Sequence, residues 1–263
     1  MFRHLAASSL HTLRLSGVCY VAGDPPSFKH LHELVVYRLA CDEFPNGGLA
    51  QFFADARLNS FVFVQGSQPS HAGNTTASIN DRRDGMVLND KMIADIVDGP
   101  ARDARELTLL RCRRGTVTLA GIAACLKKLS NLEYLALGYD NATATSTASS
   151  AEDLKCKSSN EDTQAFLENL PPTLRTLKLS VPDIIANQNA SGSHVPAESS
   201  TLFDDLARRI FVDRQFPCLS QLCIFVEGAT VDPDLRRRWK DMAQRVGIEV
   251  GLVDWTDAEE ARL

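Results

Sequence analysis

The chain has 263 residues, of which 44% are hydrophobic and 23% charged, a balance that is ordinary for a globular protein with a substantial core. Its net charge of −5 gives no overall basic field for a nucleic-acid backbone, so we expect no nucleic-acid partner. No apolar run approaches the length of a membrane span, so we also expect no membrane segment.

The cysteines indicate a reducing compartment. There are seven, an odd number, and no two have C-x-x-C spacing, which excludes an obvious disulfide framework or zinc site.

The first acidic residue is Asp24, and the basic, serine-containing start is similar to a mitochondrial transit peptide. Because Leu10, Leu13 and Leu15 match later repeats in register, we interpret this start as repeat structure. We therefore predict a cytoplasmic or nuclear protein.

One motif recurs along the chain: an apolar residue, two others, an apolar residue, one other and an apolar residue. Its copies begin 21, 27, 46, 28, 42 and 45 residues apart. Three of these spacings fit a repeat period of about 20–29 residues, and three fit that period with an insertion. We predict inserted surface loops near 65–85, 139–160 and 181–200, which are rich in small and polar residues and are expected to be mobile. The seven copies are Leu10/Leu13/Leu15, Leu31/Leu34/Val36, Leu58/Phe61/Phe63, Ala104/Leu107/Leu109, Leu132/Leu135/Leu137, Leu174/Leu177/Leu179 and Leu219/Leu222/Ile224.

Segments between the copies carry apolar residues at helical spacing. Gly99-Pro100 should end the second, Thr118 should cap the third, and Pro171-Pro172 should stop the fourth. Alternating apolar residues predict a terminal strand at about 248–253. The six helical stripes begin at Leu49, Leu88, Leu119, Phe166, Leu202 and Leu235.

This alternation predicts an α/β solenoid. A short strand directs motif positions 1, 4 and 6 toward the core, and the following helix packs its apolar stripe over the same core. Neither element buries its apolar side alone, so the repeats must stack. We therefore predict one domain over residues 1–263, with a curved parallel sheet on the concave side and helices on the convex side.

The register resembles the leucine-rich-repeat superfamily of the ribonuclease-inhibitor type. The irregular spacing, the inserts and the segments Leu132–Leu137 and Leu174–Leu179 are most similar to the repeat region of fungal F-box-type proteins. This resemblance implies that the repeats capture a substrate while an F-box docks on a ubiquitin-ligase adaptor. An F-box is not found, because the first repeat begins by Leu10. We expect either a fragment of a longer protein or one that acts without that adaptor.

No catalytic, cofactor or metal motif accompanies the repeats. The phosphate-loop, dinucleotide and zinc-protease motifs and the nucleophile elbow are missing. His30 and His32 flank Leu31, but no third ligand stands at a convincing spacing, which favours surface histidines. We expect a protein that is not an enzyme, has no cofactor and takes no small-molecule substrate.

The binding face is predicted from strand geometry. Motif positions 3, 5 and 7 alternate with the core positions and should project from the concave sheet. The alternative is that this sheet is buried on both faces, in which case the same residues are core. The predicted partner-binding residues are Glu33, Val35, Tyr37, Val62, Val64, Glu106, Leu110 and Tyr134.

Two functions follow from these observations. The first is a non-catalytic protein–protein interaction module, specifically the substrate-recognition part of a ubiquitin-ligase receptor. The alternative is a secreted or surface recognition protein whose signal peptide is missing and whose loops carry glycans. Its basis is three sequons, at Asn74, Asn141 and Asn189, all within the inserts.

Overall fold

The computed structural model describes residues 9–18, 27–40, 48–65, 86–113, 116–140, 160–180, 205–225 and 233–253. It contains one sheet of eight strands, and every strand pairs in parallel with the next one along the chain. The predictions of strands at the seven motifs and of a terminal strand are confirmed. The strands are β1 (Thr12–Val18), β2 (Glu33–Ala40), β3 (Ser60–Val64), β4 (Glu106–Arg113), β5 (Tyr134–Asp140), β6 (Thr176–Ser180), β7 (Gln221–Phe225) and β8 (Glu249–Val253).

Helical segments separate the strands from β2 onward. All six overlap the predicted apolar stripes, although the fourth begins at Asn160, six residues before its stripe was expected to begin at Phe166. Five of them are α-helices, while the fifth along the chain has π-helical hydrogen bonding. They are α1 (Gly48–Phe52), α2 (Asp90–Asp98), α3 (Leu119–Leu126), α4 (Asn160–Glu168), α5 (Arg208–Val212, the π-helical segment) and α6 (Pro233–Val246).

The sheet register repeats the motif register. Leu107 of β4 pairs with Leu135 of β5, which pairs with Leu177 of β6, so motif position 4 forms a continuous row across the strands. Position 6 forms a second row, in which Leu109, Leu137 and their equivalents align. Both rows belong to one hydrophobic cluster that also contains helix residues and extends along the chain from Leu13 to Ile248. The core therefore lies between the strands and the helices.

A backbone feature recurs at the start of the strands. The carbonyl oxygen of His11, at motif position 2, accepts hydrogen bonds from the backbone N–H groups of His32 and Glu33, at 2.9 and 3.0 Å. Each such carbonyl thus ties its repeat to the next through two donors, which satisfies backbone groups that would otherwise lose partners on burial. The same pair of bonds is made by the position-2 carbonyls of His32, Asn59, Arg105, Glu133 and Arg175.

Two neighbouring helices are joined at their N-termini. The Asn89 side chain caps α2 by accepting a hydrogen bond from Met92 N at 2.9 Å. The predicted cap of α3 is confirmed, since Thr118 Oγ1 accepts from Gly121 N at 3.0 Å. The Asp90 carboxylate then accepts from Thr118 N at 2.8 Å and from Thr118 Oγ1 at 2.7 Å. These bonds fix α2 against α3, and the Asp90 carboxylate lies directly over the backbone of Gly121.

We expect Gly121→Ala to destabilise the protein by about 1–3 kcal/mol, although alanine is normally the better helix former by about 1 kcal/mol. A Cβ atom at this position would overlap with the Asp90 carboxylate. Urea denaturation measures the change. In an Asp90→Ala background the same substitution should become neutral or stabilising. Equal effects of Gly121→Ala in both backgrounds would contradict the contact.

Some local predictions differ from the structure. The predicted insert at 139–160 is too long at both ends, because Tyr139 and Asp140 continue β5 through their pairing with β4 and Asn160 begins α4. The insert predicted at 65–85 begins one residue too early, because Gln65 is buried. The remaining insert residues, 66–85, 141–159 and 181–200, lie outside the described residues. The fifth helical stripe was expected to be an α-helix. Its π-helical turns instead bury three consecutive side chains, Arg209, Ile210 and Phe211.

Candidate partner-binding face

The predicted binding residues lie on four consecutive strands in three rows. Motif position 3 aligns Glu33, Ser60, Glu106 and Tyr134 across β2 to β5. Position 5 aligns Val35, Val62, Thr108 and Ala136, and position 7 aligns Tyr37, Val64 and Leu110. These three rows are called here the sheet face. The rows alternate with the core rows, so they occupy the side of the sheet opposite the helices.

Exposure divides the sheet face into two groups. Val35 and Val64 are buried, at 6% and 2% exposure, so neither offers much surface to a partner. Both are nevertheless outside the main hydrophobic cluster. The accessible part of the face is narrower than the alternation of residues alone predicts. The predicted binding residues that are half-buried are Glu33, Tyr37, Val62, Glu106, Leu110 and Tyr134.

Lys178 extends the sheet face onto β6. It stands at position 5, next to Ala136 in register, and is buried at 8% exposure. Its Nζ atom lies 5.3 Å from the centre of the Tyr134 ring, where a cation is attracted to the aromatic face. The predicted binding residues end at the fifth copy and therefore do not include Lys178. Motif position 5 of the sixth copy, in Leu177-Lys178-Leu179, identifies it.

A bulge limits the sheet face at its C-terminal edge. The pairing of β4 with β5 is regular up to Leu109 and shifts before Cys112. Arg111, between them, has a φ of 57°, a left-handed conformation that is uncommon for residues other than glycine. The extra residue directs Cys112 into the core, where it is 2% exposed and burial raises the pKa of its thiol to about 12. Burial likewise raises the pKa of Cys125 to about 11. These thiols are therefore neutral at physiological pH.

The histidines form a small group at the start of β1 and β2. The rings of His11 and His32, both at motif position 2, are stacked with centroids 5.5 Å apart. Their Nδ1 atoms lie 3.1 Å from the carbonyl oxygens of His30 and Arg57, respectively. His30 meets His11 edge-on. In the part of the chain that the structure describes, no group of three metal-ligating side chains is found.

Charged side chains follow the same position-2 row further along the sheet. Glu133 accepts from Arg105 at 3.4 Å and from Arg175 at 3.2 Å, so one carboxylate joins arginines of the flanking repeats. Both arginines are largely exposed, and such pairs contribute little to stability. The position-2 side chains therefore form a solvent-exposed border of the sheet face.

Among the helices that the structure describes, none has the length and apolar content needed to cross a membrane. Comparison of the chain with protein-family models, curated proteins and solved structures finds no match in any of the three. The three sequons lie outside the described residues.

Proposed function

We propose that the chain is a leucine-rich-repeat solenoid that binds another protein and has no catalytic activity of its own. The order of the strands, which follows the order of the chain, supports the solenoid, as do the aligned motif rows. The recurrent position-2 hydrogen bonds are a further support, because they give successive repeats the same backbone junction. Such stacked repeats typically serve as extended binding surfaces.

The observation that carries the binding proposal is the group of half-buried tyrosines and aliphatic residues on the sheet face. Tyr37, Val62, Leu110 and Tyr134 lie on adjacent strands and outside the core cluster. Partly accessible apolar residues gathered on one surface are a feature of interaction sites, and tyrosine is enriched at interface centres. Glu33 and Glu106 border them and would favour a partner with basic residues.

The proposed biological role is substrate recognition for a ubiquitin ligase, in the cytoplasm or nucleus. It rests on the resemblance to the repeat region of fungal F-box-type proteins. The partner would be a protein, and the role needs no cofactor, nucleic acid or small-molecule substrate.

Substitution of the two tyrosines tests the binding proposal. We expect Tyr37→Ala/Tyr134→Ala to reduce recovery of the bound protein at least about tenfold, because truncated interface anchors commonly cost 1–2 kcal/mol each or more. Quantitative mass spectrometry after affinity capture measures the recovery. The matched control, Tyr37→Phe/Tyr134→Phe, keeps both rings and should retain most of the binding.

Folding must be checked in parallel, since Tyr134 contacts Lys178. Because Lys178 is buried, loss of that contact should cost about 2 kcal/mol, so circular dichroism and urea denaturation must first establish that the double variant is folded. Undiminished capture by the folded double variant would show that the partner binds elsewhere. The ligase role has its own readout: the captured protein should be ubiquitylated in cells that express the wild-type chain and not in cells that express the variant.

A further inference from the structure

Three unusual features occur together around α5. Val212 is 69% exposed, and no other large hydrophobic side chain in the described part of the chain is exposed. It ends a π-helical segment, a rare geometry that often occurs at functional sites. Two residues later, Arg214 has a φ of 50°. Residues 205–214 together with α6 are called here the α5–α6 corner.

The backbone around Arg214 would suit glycine better than arginine. The backbone N–H of Asp213 donates to the carbonyl oxygen of Arg208 at 2.9 Å, and the backbone N–H of Gln215 donates to the carbonyl oxygen of Arg209 at 3.0 Å. Such a closing pattern places a left-handed residue just after a helix, where glycine carries no steric cost. An arginine held there, with its side chain exposed, suggests that the side chain is used.

The adjoining helix α6 is strongly basic. It contains five basic and two acidic residues, a net charge of +3, while the rest of the chain carries −8. Its apolar side is occupied, because Trp239 is buried and its ring lies 5.7 Å from that of Phe211. The basic side chains therefore occupy the outer side of the helix. The exposed ones are Arg236, Arg237, Arg238, Lys240 and Arg245.

The distribution of charge over the chain favours a short acidic protein segment over an extended polyanion. Outside α6 the chain carries −8, so a bilayer of anionic lipid or a nucleic-acid duplex that reached beyond the corner would be repelled, whereas a short segment contacts the corner alone. Arginine, which dominates here, pairs with carboxylates in bidentate geometry. Val212 provides a small apolar contact beside these charges.

We propose that the α5–α6 corner is a second docking surface, which binds an acidic segment of a partner protein. Val212 contacts an apolar residue of that segment, while Arg214 and the exposed cations of α6 pair with its Asp and Glu side chains. This surface is separate from the sheet face and does not depend on the function proposed for it.

Fluorescence anisotropy of a labelled peptide built from repeated Glu-Asp-Leu-Glu units tests the proposal. We expect saturable binding to the full chain at about 0.05 M NaCl that weakens at about 0.3 M. The triple variant Arg238→Glu/Lys240→Glu/Arg245→Glu should raise Kd at least about tenfold. Arg237 is left unchanged in this variant because it already has an interaction within the chain. The matched control, Lys29→Glu/Arg57→Glu/Arg102→Glu, changes the net charge equally and should keep Kd within about twofold.

Two single variants separate specific docking from general attraction. Val212→Ser should raise Kd about threefold without any change of charge. Arg214→Gly should also weaken binding about threefold, yet raise Tm by about 2–4 °C because it relieves the left-handed arginine. If Arg214 has only a structural role, Arg214→Gly should change Tm and leave Kd unchanged.

Three outcomes would overturn the proposal. The first is that the peptide fails to bind below about 100 µM. The second is that the control triple variant weakens binding as much as the α6 variant does. The third is that vesicles containing phosphatidylserine, or a DNA duplex, bind the same residues more tightly than the peptide does.

Discussion

Leu135→Ala is expected to lower the free energy of unfolding by about 2–5 kcal/mol, the range seen when a fully buried leucine is truncated. Leu135 has 0% exposure and lies in the middle of the position-4 row, between Leu107 and Leu177. The neighbouring strands are held by their backbone bonds and cannot close the cavity, so the upper part of the range applies. Urea denaturation followed by circular dichroism measures the loss.

Val212→Ala provides the matched control for this prediction. It is also a large-to-small aliphatic change, but Val212 is exposed, so stability should stay within about 0.5 kcal/mol of wild type. If Leu135→Ala and Val212→Ala shift the denaturation midpoint equally, the position-4 row is not the core. A broadened transition for Leu135→Ala would also be informative, because weakening a central repeat can uncouple the repeats on either side.

The strands and their register could be predicted because they depend on a short local pattern. Leucines at positions 4 and 6 must face the core, and a shift by one residue would turn them toward the opposite face, so the apolar pattern alone sets the pairing. The caps follow from equally local chemistry, as Thr118 shows. Each of these features depends on residues no more than a few positions apart.

Part of the repeat was missed although it is visible in the sequence. In five copies the first motif residue donates its N–H to the carbonyl three residues earlier, as Leu31 does to Phe28 and Leu174 to Pro171. The residue at that earlier position is buried, so the repeat has an additional core position. Its identity varies between phenylalanine, alanine, leucine and proline, which conceals it from a search for leucines. The residues are Phe28, Ala101, Leu129, Pro171 and Phe216.

The remaining features depend on contacts between distant residues. Gly121 must be glycine because of Asp90, which lies on another helix. Lys178 is buried and lies over the ring of Tyr134, which stands on the neighbouring strand. The burial of Val35 and Val64 is a similar case, since alternation states which face a side chain occupies but not how much its neighbours cover it. The sequence therefore predicted which residues form the sheet face, but not how much of each side chain is accessible to solvent.

The buried thiol of Cys112 predicts a loss of stability in alkali. Its pKa is raised to about 12 in the folded chain because burial disfavours the thiolate, whereas an unfolded cysteine titrates near its usual value of 9.0. Below pH 9 both states hold the proton, and the contribution to stability is fully present. Above pH 9 the unfolded state releases the proton while the folded state keeps it, so stability falls. The loss approaches about 1.4 kcal/mol per pH unit until the folded thiol itself ionises.

Comparison with Cys112→Ala isolates this effect from the titration of tyrosines and lysines. At pH 7 the variant should be less stable than wild type by about 1 kcal/mol, because it loses the buried sulfur. By pH 10.5 the wild type should have lost about 2 kcal/mol through the thiol alone, so the variant becomes the more stable protein. Urea denaturation in the presence of a reducing agent, repeated between pH 7 and 10.5, measures this reversal. A difference between the two proteins that stays constant over this range would mean that the Cys112 thiol is solvated in the folded chain.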